Sequence, residues 1–313
     1  MTADIVVVCS TYQRPERLAQ LVAALEAQDL DRDRFEVNIV DNGSHDQTGT
    51  VLAALAERSP LRIHARAIDV NHGPAAARNL GWRSSDAPFV AFTDDDCLPQ
   101  PGWLRAGLAA LSSDPAVGVV QGRVEPGDGP IGDWTLQRIV RGPTPFFEGC
   151  NIFYRRDALE ATGGFDEGIG WYGEDTTLGW SVIDAGWRRD YADKAVVIHP
   201  LEERPLRWHM QSAYLEGNLV GIAHRFPAFA NDAFHRPWAF HPHDGRAVLA
   251  LVGVVAAVRH PWTLALAYPW YRMRRAAPGH HRALALIAER AVVDAASVLG
   301  LLRASVRERH LVI

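Results

Sequence analysis

Four short strand-like runs recur through the first hundred residues, and each closes on a polar cluster. Residues 5–9 (IVVVC) end at 10–14, and residues 35–40 (FEVNIV) end at 41–44. Residues 61–68 (LRIHARAI) end at 71–73, and residues 88–93 (PFVAFT) end at 94–96. Between them lie stretches with helical spacing. Leu18, Leu21, Val22 and Leu25 mark the first, Val51, Leu52 and Leu55 the second, and Pro74 is placed for the first turn of a third. A β-α-β-α-β-α-β order of this kind predicts a parallel sheet with helices on both faces, an α/β fold. Ligands of such sheets sit beyond the carboxyl ends of the strands. All four polar clusters fall at those ends.

The fourth cluster is the most demanding. "AFTDDDCLPQ" (91–100) sets Asp94, Asp95 and Asp96 side by side after a buried run. Three like charges held together at a strand end are costly without a counter-charge. They are either an exposed turn or a cation site, and convergence with the other clusters favours the site.

The rest of the chain bounds the function. It has 313 residues and net charge −5, with 22% charged and 48% hydrophobic residues. That is an ordinary globular composition, and it points away from nucleic acid as the partner. Cys9, Cys97 and Cys150 are odd in number and widely spaced. They fit neither a disulfide framework nor a thiolate zinc site, and a reducing, cytoplasmic compartment is expected. MTADIVVVCSTY lacks a basic n-region and reads as a first strand rather than a signal peptide. Residues 120–150 are rich in Gly and Pro and read as irregular or as mixed strands. Helices are expected over 156–161 and 174–185, with Gly186 as a stop, and a short strand over 195–198 before His199-Pro200.

Beyond about residue 205 the character changes. Residues 247–258 (AVLALVGVVAAV) are apolar throughout, Arg259-His260-Pro261 interrupt, and 262–271 are apolar and aromatic. Arg272, Arg274, Arg275, Arg282 and Arg290 follow, with only Glu289 against them. Twelve residues are too few to span a bilayer. A helical hairpin is expected, either at a membrane interface or packed on protein, including a second copy of the chain.

Seven stretches resemble family 2 glycosyltransferases: "VVVCSTYQRPERL" (6–18), "IVDNGSHDQT" (39–48), "GPAAARNLGW" (73–82), "AFTDDDCLP" (91–99), "FEGCNIFYRRDALEATGGFDE" (147–167), "GEDTTLGW" (173–180) and "VIHP" (197–200). They stand in the family's order and cover about residues 1–200. The resemblance implies the GT-A fold, a Rossmann-like nucleotide-binding sheet, here with a C-terminal helical extension. A GT-A domain is expected over 1–204, its nucleotide-sugar half about 1–120 and its acceptor half about 121–204, and a helical region over 205–313.

The resemblance also implies roles. Asp96 would ligate a divalent metal (Mn²⁺ or Mg²⁺), Asp94 would face the ribose or the metal, and Asp95, the middle residue, would point away. His199 would complete the metal site or contact the phosphates. Thr11, Tyr12 and Arg14 would hold base and ribose. Asp41 would accept the imide N–H of uracil or thymine, which makes UDP or dTDP the expected nucleotide; its alternative is an Asx-turn. Arg78 would lie near the diphosphate, or pair structurally with Asp41 or Asp94. Asp175 would be the base of an inverting transfer to a hydroxyl acceptor, with Glu174 the lesser candidate. Trp171, Tyr172 and Trp180 would shape the acceptor site or belong to the core. A sugar-nucleotide pyrophosphorylase is a rival, but STYQRPER is a poor triphosphate loop. A catalytically inactive binding protein is another, but it would be expected to lose the acidic pair or D-x-D, and both are present. The acceptor class spans glycans, lipid-linked glycans and small molecules. The expected location is cytoplasmic, with 205–313 serving peripheral contact at the inner face of the membrane or homo-oligomerisation.

Overall fold

A computed structural model describes residues 3–235, 244–275 and 283–312; Arg282 of the basic cluster lies outside the described residues. In chain order the first part runs β1 (Ile5–Thr11), α1 (Pro15–Glu26), β2 (Phe35–Asn42), α2 (Thr48–Arg58), β3 (Ile63–Ile68), α3 (Pro74–Arg83) and β4 (Phe89–Asp94). It continues with β5 (Leu98–Pro99), α4 (Trp103–Ser113), β6 (Val117–Pro126), β7 (Thr135–Leu136), β8 (Asn151–Arg155), α5 (Arg156–Thr162), α6 (Glu174–Asp184) and β9 (Arg188–His199). Then come β10 (Glu202–Glu203), α7 (Leu206–Leu215), α8 (Asn218–Arg225), α9 (Pro227–Ala233) and α10 (Asp244–Ala256). A 3₁₀ segment (Pro261–Ala267), α11 (Tyr268–Arg275) and α12 (Ala283–Glu308) complete the described chain.

The chain divides into two compact units, Met1–Pro130 with Gln137–Leu201, and Ile131–Leu136 with Glu202–Ile313. The last crossing between them falls at 201/202. The excursion of 131–136 into the second unit has no sequence signal, because only two of its residues, in β7, pair with β10.

In the first unit the described strands form an eight-stranded sheet in the order β3-β2-β1-β4-β8-β6-β9-β5. The pairs β1–β2, β1–β4 and β2–β3 are parallel. The expected four-strand core is therefore present, with β1 at its centre and fully buried from Ile5 to Cys9. The residues that placed α1 by spacing, Leu18, Leu21, Val22 and Leu25, are the ones it buries. Past β4 the sheet becomes mixed: β8 runs antiparallel to both β4 and β6, and β6 runs parallel to β9.

The 120–150 stretch, expected as irregular or as mixed strands, begins with the end of β6, a ten-residue strand in the mixed part of the sheet. One sequence expectation needs correction here. The strand expected at 195–198 is the end of β9, twelve residues long with a register shift against β6. Its first half, RRDYADK, is largely exposed, so only AVVI shows the apolar signal.

In the second unit, α10 packs on the 3₁₀ segment and on α12, and the junction is tight. Thr263 Oγ1 donates to the Gly253 carbonyl at 2.8 Å, and a Cβ on Gly253 would lie 2.5 Å from the Thr263 oxygen. Ala247, Trp270 and Val298 form the inner core of this hairpin. Among the described residues no helix is long and apolar enough to cross a membrane.

Candidate active site

The strand register assembles the site. Thr11 stands beside Asp41, and Ser10 beside both Val40 and Asp94, so the ends of β1, β2 and β4 form one polar edge. On the far side β5 pairs with the end of β9, Leu98 opposite Ile198. That pairing brings Asp96, two residues before Leu98, to His199 at 3.8 Å. Thr11, Arg14, Asp41, Asp94, Asp95, Asp96 and His199 are thereby gathered at one edge from positions spread over nearly two hundred residues.

The three aspartates receive three different settings. Asp94 Oδ1 accepts from Arg78 Nη2 at 2.9 Å. Burial works against its charge, but Arg78 outweighs burial and holds its carboxyl below the usual range. Asp95 does not point away, as expected of a middle residue. The chain turns here, with Cys97 N–H bonded to the Asp94 carbonyl. Asp95 is thereby carried inward, where Thr11 Oγ1 donates to its Oδ2 at 2.8 Å and Arg14 Nη1 to its Oδ1 at 2.8 Å. Burial pushes its carboxyl up to about 6, against the pull of Arg14. Asp96 Oδ2 also accepts from Arg14, at 2.9 Å, and its Oδ1 faces His199 Nε2 at 3.8 Å. Much of the counter-charge for the acidic run thus comes from two arginines of the chain.

His199 is buried at the end of β9, and its Nδ1 lies 2.9 Å from the Pro200 carbonyl oxygen. A carbonyl only accepts, so in the neutral ring Nδ1 carries the proton and the Nε2 lone pair is directed at Asp96. One free carboxylate oxygen and one imidazole nitrogen side by side suit Mn²⁺, or Mg²⁺ with more water. Cys97 Sγ is 3.6 Å from the same Asp96 oxygen. A hydrogen bond with Cys150, then burial, hold its thiol well above the usual range, so it is a poor ligand for a hard cation.

Asp41 Oδ1 accepts the Ser44 N–H, three residues on, at 3.0 Å, one residue beyond the reach of an Asx-turn. Asn42 Nδ2 ties the same loop to the Gly73 carbonyl at 2.9 Å. Gly73 has φ +102, and a Cβ there would lie 2.7 Å from the Gly170 oxygen, so only glycine lets the 170–172 loop approach. Tyr12 is exposed beside this edge.

Arg78 takes the second of its expected settings, the ion pair with Asp94. It is 5% exposed, and its Nη1 also donates to Glu174 Oε1 at 2.8 Å. The guanidinium, stacked against Phe165, thus joins the aspartate run to the acidic pair at the start of α6. Burial and the adjacent Asp175 charge push Glu174 up to about 7. Asp175 is half-buried, and two backbone N–H groups fix it: Gly149 at 3.0 Å and Thr176 at 2.8 Å. Burial raises its pKa as well, against Arg78 and these donors. The Gly149 donor is set by an unusual residue. Phe147 has φ +54, and its ring fills the notch left by Gly179, where a Cβ would lie 2.2 Å away.

Of the three aromatic acceptor candidates, Trp171 is 60% exposed and Tyr172 half-buried, but Trp180 is core. Its ring is 5% exposed, its Nε1 donates to the Pro145 carbonyl at 2.8 Å, and it meets Phe147 edge-on. It presents no face to a sugar.

Sequence reasoning passed over two residues. Glu148 stands in the FEGC stretch without an assigned role. Its Oε2 accepts from Thr144 at 2.6 Å and Gln121 at 3.1 Å, and burial raises its pKa. Arg138 keeps an exposed surface on the loop before β8 and forms no hydrogen bond or ion pair among the described residues. Desolvation works against its charge, but neighbours that include Asp94, Asp175 and Glu148 outweigh it. Nothing in the Gly- and Pro-rich segment around Arg138 marks it; only the fold brings it to the carboxylates.

Comparison with known proteins accords with this geometry. The family model for glycosyl transferase family 2 matches residues 6–165. A pre-mycofactocin glycosyltransferase of Mycobacterium tuberculosis (strain CDC 1551 / Oshkosh) is 30% identical over 245 residues, 72% of this chain and 48% of that protein. This chain therefore spans about half the length of that relative. Glycosyltransferase AglE of Haloferax volcanii is 27% identical over 203 residues, 62% of this chain and 66% of that one. Among solved structures, the mannosyltransferase PcManGT from Pyrobaculum calidifontis, in complex with GDP-Man and Mn²⁺, superposes with a TM-score of 0.63 at 22% identity. The match covers 99% of this chain and 88% of that one. With the family model over half of its length and a 30% identical relative over 72% of it, the chain belongs to the family 2 glycosyltransferases and has the GT-A fold.

Proposed function

We propose that this chain transfers a sugar, with inversion, from a nucleoside diphosphate to a hydroxyl acceptor. One observation carries the reading: a single buried guanidinium, Arg78, bridges Asp94 at 2.9 Å and Glu174 at 2.8 Å. The aspartate run and the acidic pair are therefore parts of one site. Inverting transfer needs one base on the acceptor side and charge neutralisation on the leaving-group side, and that arrangement fits.

Asp175 is the base. It is the more accessible of the pair, and its two backbone donors hold its oxygens in place without neutralising them. It accepts the acceptor hydroxyl proton as the oxygen attacks the anomeric carbon from the face opposite the diphosphate. Glu174 is committed to Arg78 and acts as a positioning residue. Asp96 Oδ1 and His199 Nε2, with Asp94, would hold a divalent cation, Mn²⁺ or Mg²⁺, whose charge offsets that of the departing diphosphate. The polar edge of Thr11, Tyr12, Arg14 and Asp41 would bind the nucleotide. Asp41 keeps one carboxylate oxygen for a base imide, which favours UDP or dTDP, and Arg138 adds positive charge beside the donor. Trp171 and Tyr172 offer aromatic surface to an acceptor on a glycan, a lipid-linked glycan or a small molecule.

A donor screen tests this. UDP-, dTDP- and GDP-sugars are incubated with the protein and candidate acceptors under Mn²⁺, Mg²⁺ or chelator, and nucleoside diphosphate release and product anomeric configuration are read. Metal-dependent release with an inverted product is expected. Retention of configuration, or release unaffected by chelator, would overturn the corresponding part. The GDP-Man bound in the structural neighbour is the reason to include the third nucleotide.

A further inference from the structure

The hairpin of α10, the 3₁₀ segment and α11 turns much of its apolar surface outward. Its inner side is satisfied: Ala247 and Trp270 are buried, and the Trp270 indole N–H donates to Asp294 at 2.7 Å. A cavity of about 220 Å³, lined by Ala247, Ala250, Leu251, Trp270 and Ala291 among others, lies in this side. The outer side has nothing to cover it among the described residues. Leu249, Val252 and Val255 lie along one exposed stripe of α10, three apart, and Val258 continues it at 88% exposure. The 3₁₀ segment adds Trp262 at 74% exposure together with Leu264, and α11 adds Tyr268. A water-facing helix normally carries charge at such positions. Here no Asp, Glu, Lys, Arg or His occurs in 247–258 or 261–271.

The charge lies at the borders of that surface and has one sign. Residues 244–275 contain Arg246, Arg259, Arg272, Arg274 and Arg275 against Asp244 alone. Arg274 is engaged by Asp294, but Arg246, Arg259 and Arg272 are exposed. Two properties then limit what can cover the face. The apolar run of twelve residues reaches about 18 Å as a helix, well short of the roughly 30 Å of hydrocarbon in a bilayer. A second copy docked on the same face about a twofold axis would set arginine against arginine with one aspartate to offset them. An anionic lipid surface meets both conditions: it takes the apolar ridge a few ångströms deep and meets the arginines with phosphate.

We infer that the outer face of the 244–275 hairpin docks on an anionic membrane surface without spanning it, with Val258, Trp262 and Leu264 entering the headgroup boundary and Arg246, Arg259 and Arg272 meeting lipid phosphate. The inference stands apart from the transfer chemistry, since it uses no residue of the catalytic edge.

Vesicle co-flotation of the full-length protein tests it, using phosphatidylcholine with and without phosphatidylglycerol. Binding is expected with phosphatidylglycerol, weakened by added salt, and weak on phosphatidylcholine alone. The double substitution V258D/W262D should lower the bound fraction by at least about tenfold. Because both side chains are exposed, its thermal melt should match wild type. A milder pair, V258S and R259Q made singly, separates the apolar from the electrostatic part if the double variant fails to fold. Absence of binding to anionic vesicles at low salt, or equal binding by the folded variants, overturns the inference. So does a concentration-dependent dimer that V258S dissolves, which would assign the face to a second copy.

Discussion

The catalytic edge and the C-terminal hairpin are incomplete in opposite ways. At the ends of β1, β4 and β9 the polar groups are densely partnered: Thr11, Arg14 and Arg78 each hold one or more carboxylates at 2.8–2.9 Å. Even so, Asp94, Asp95, Asp96, Glu174 and Asp175 outnumber Arg14, Arg78 and Arg138. Burial, with like charges beside them, raises the pKa of both Asp95 and Glu174. On the hairpin the interior is satisfied and the excess is apolar surface. In both places a surplus of one physical kind suits the partner proposed for it: a cation with phosphates at the first, a lipid interface at the second.

The comparison breaks first at Asp96. D96A removes the carboxylate that faces His199 and should abolish nucleoside diphosphate release while the thermal melt stays near that of wild type. Activity that persists in chelator would mean the surplus charge has another use. D175N comes next and should slow transfer by about 10²–10⁴-fold, with donor affinity unchanged when measured by calorimetry. If E174Q is the crippled variant and D175N is not, the base and positioning roles are exchanged.

The aromatic cluster sharpens the contrast between core and site. Trp180→Ala should destabilise the fold by about 3–5 kcal/mol in denaturant unfolding, as a large core truncation does. Trp171→Ala should change stability by less than about 0.5 kcal/mol, the usual limit for surface positions, and act on acceptor KM alone. Equal destabilisation by both would return Trp180 and Trp171 to one class.

Acidity gives a finer test. A general base works only when ionised, and burial raises the Asp175 pKa, so the rate should fall as pH drops through a value above the ordinary aspartate figure of about 3.9. Glu174, pushed up to about 7, is already protonated where Asp175 titrates, so E174Q should leave the acid limb of kcat/KM in place. A limb that moves to lower pH would show that Glu174 is ionised beside Asp175. The smallest loss of activity is expected at Arg138. Its exposed charge is screened, so R138A should lower kcat/KM only about two- to fivefold, less at high salt, with R138K partly restoring it.

The parallel half of the sheet was legible because each strand is short, apolar and followed by a helix with clear spacing. The gathering of Thr11, Asp41 and Asp94 at one edge was legible for the same reason, since α/β topology sets strand ends side by side. What the sequence concealed depends on side chains crossing between elements. Asp95 could not be read as inward-facing without the turn that swings it to Thr11. Arg78 could be given two settings, and its ion pairs with Asp94 and Glu174 appear only once the chain is folded. Trp180 could be read as acceptor surface or as core from its place near the acidic pair, and only its contact with Phe147 assigns it to the core. The first half of β9 was hidden by its own charges, and Arg138 by a loop without periodicity.

The short passage of residues 131–136 into the second unit bears on how such a chain can change over generations. The backbone crosses between the two units three times, at 130/131, 136/137 and 201/202. Within the second unit β7 pairs with β10, and Trp134 donates to Glu289 and lies against His209. A recombination event that replaced everything after residue 201 would leave β7 and Trp134 with foreign neighbours. Exchange of the C-terminal half would therefore keep these contacts only if residues 131–136 were exchanged with it.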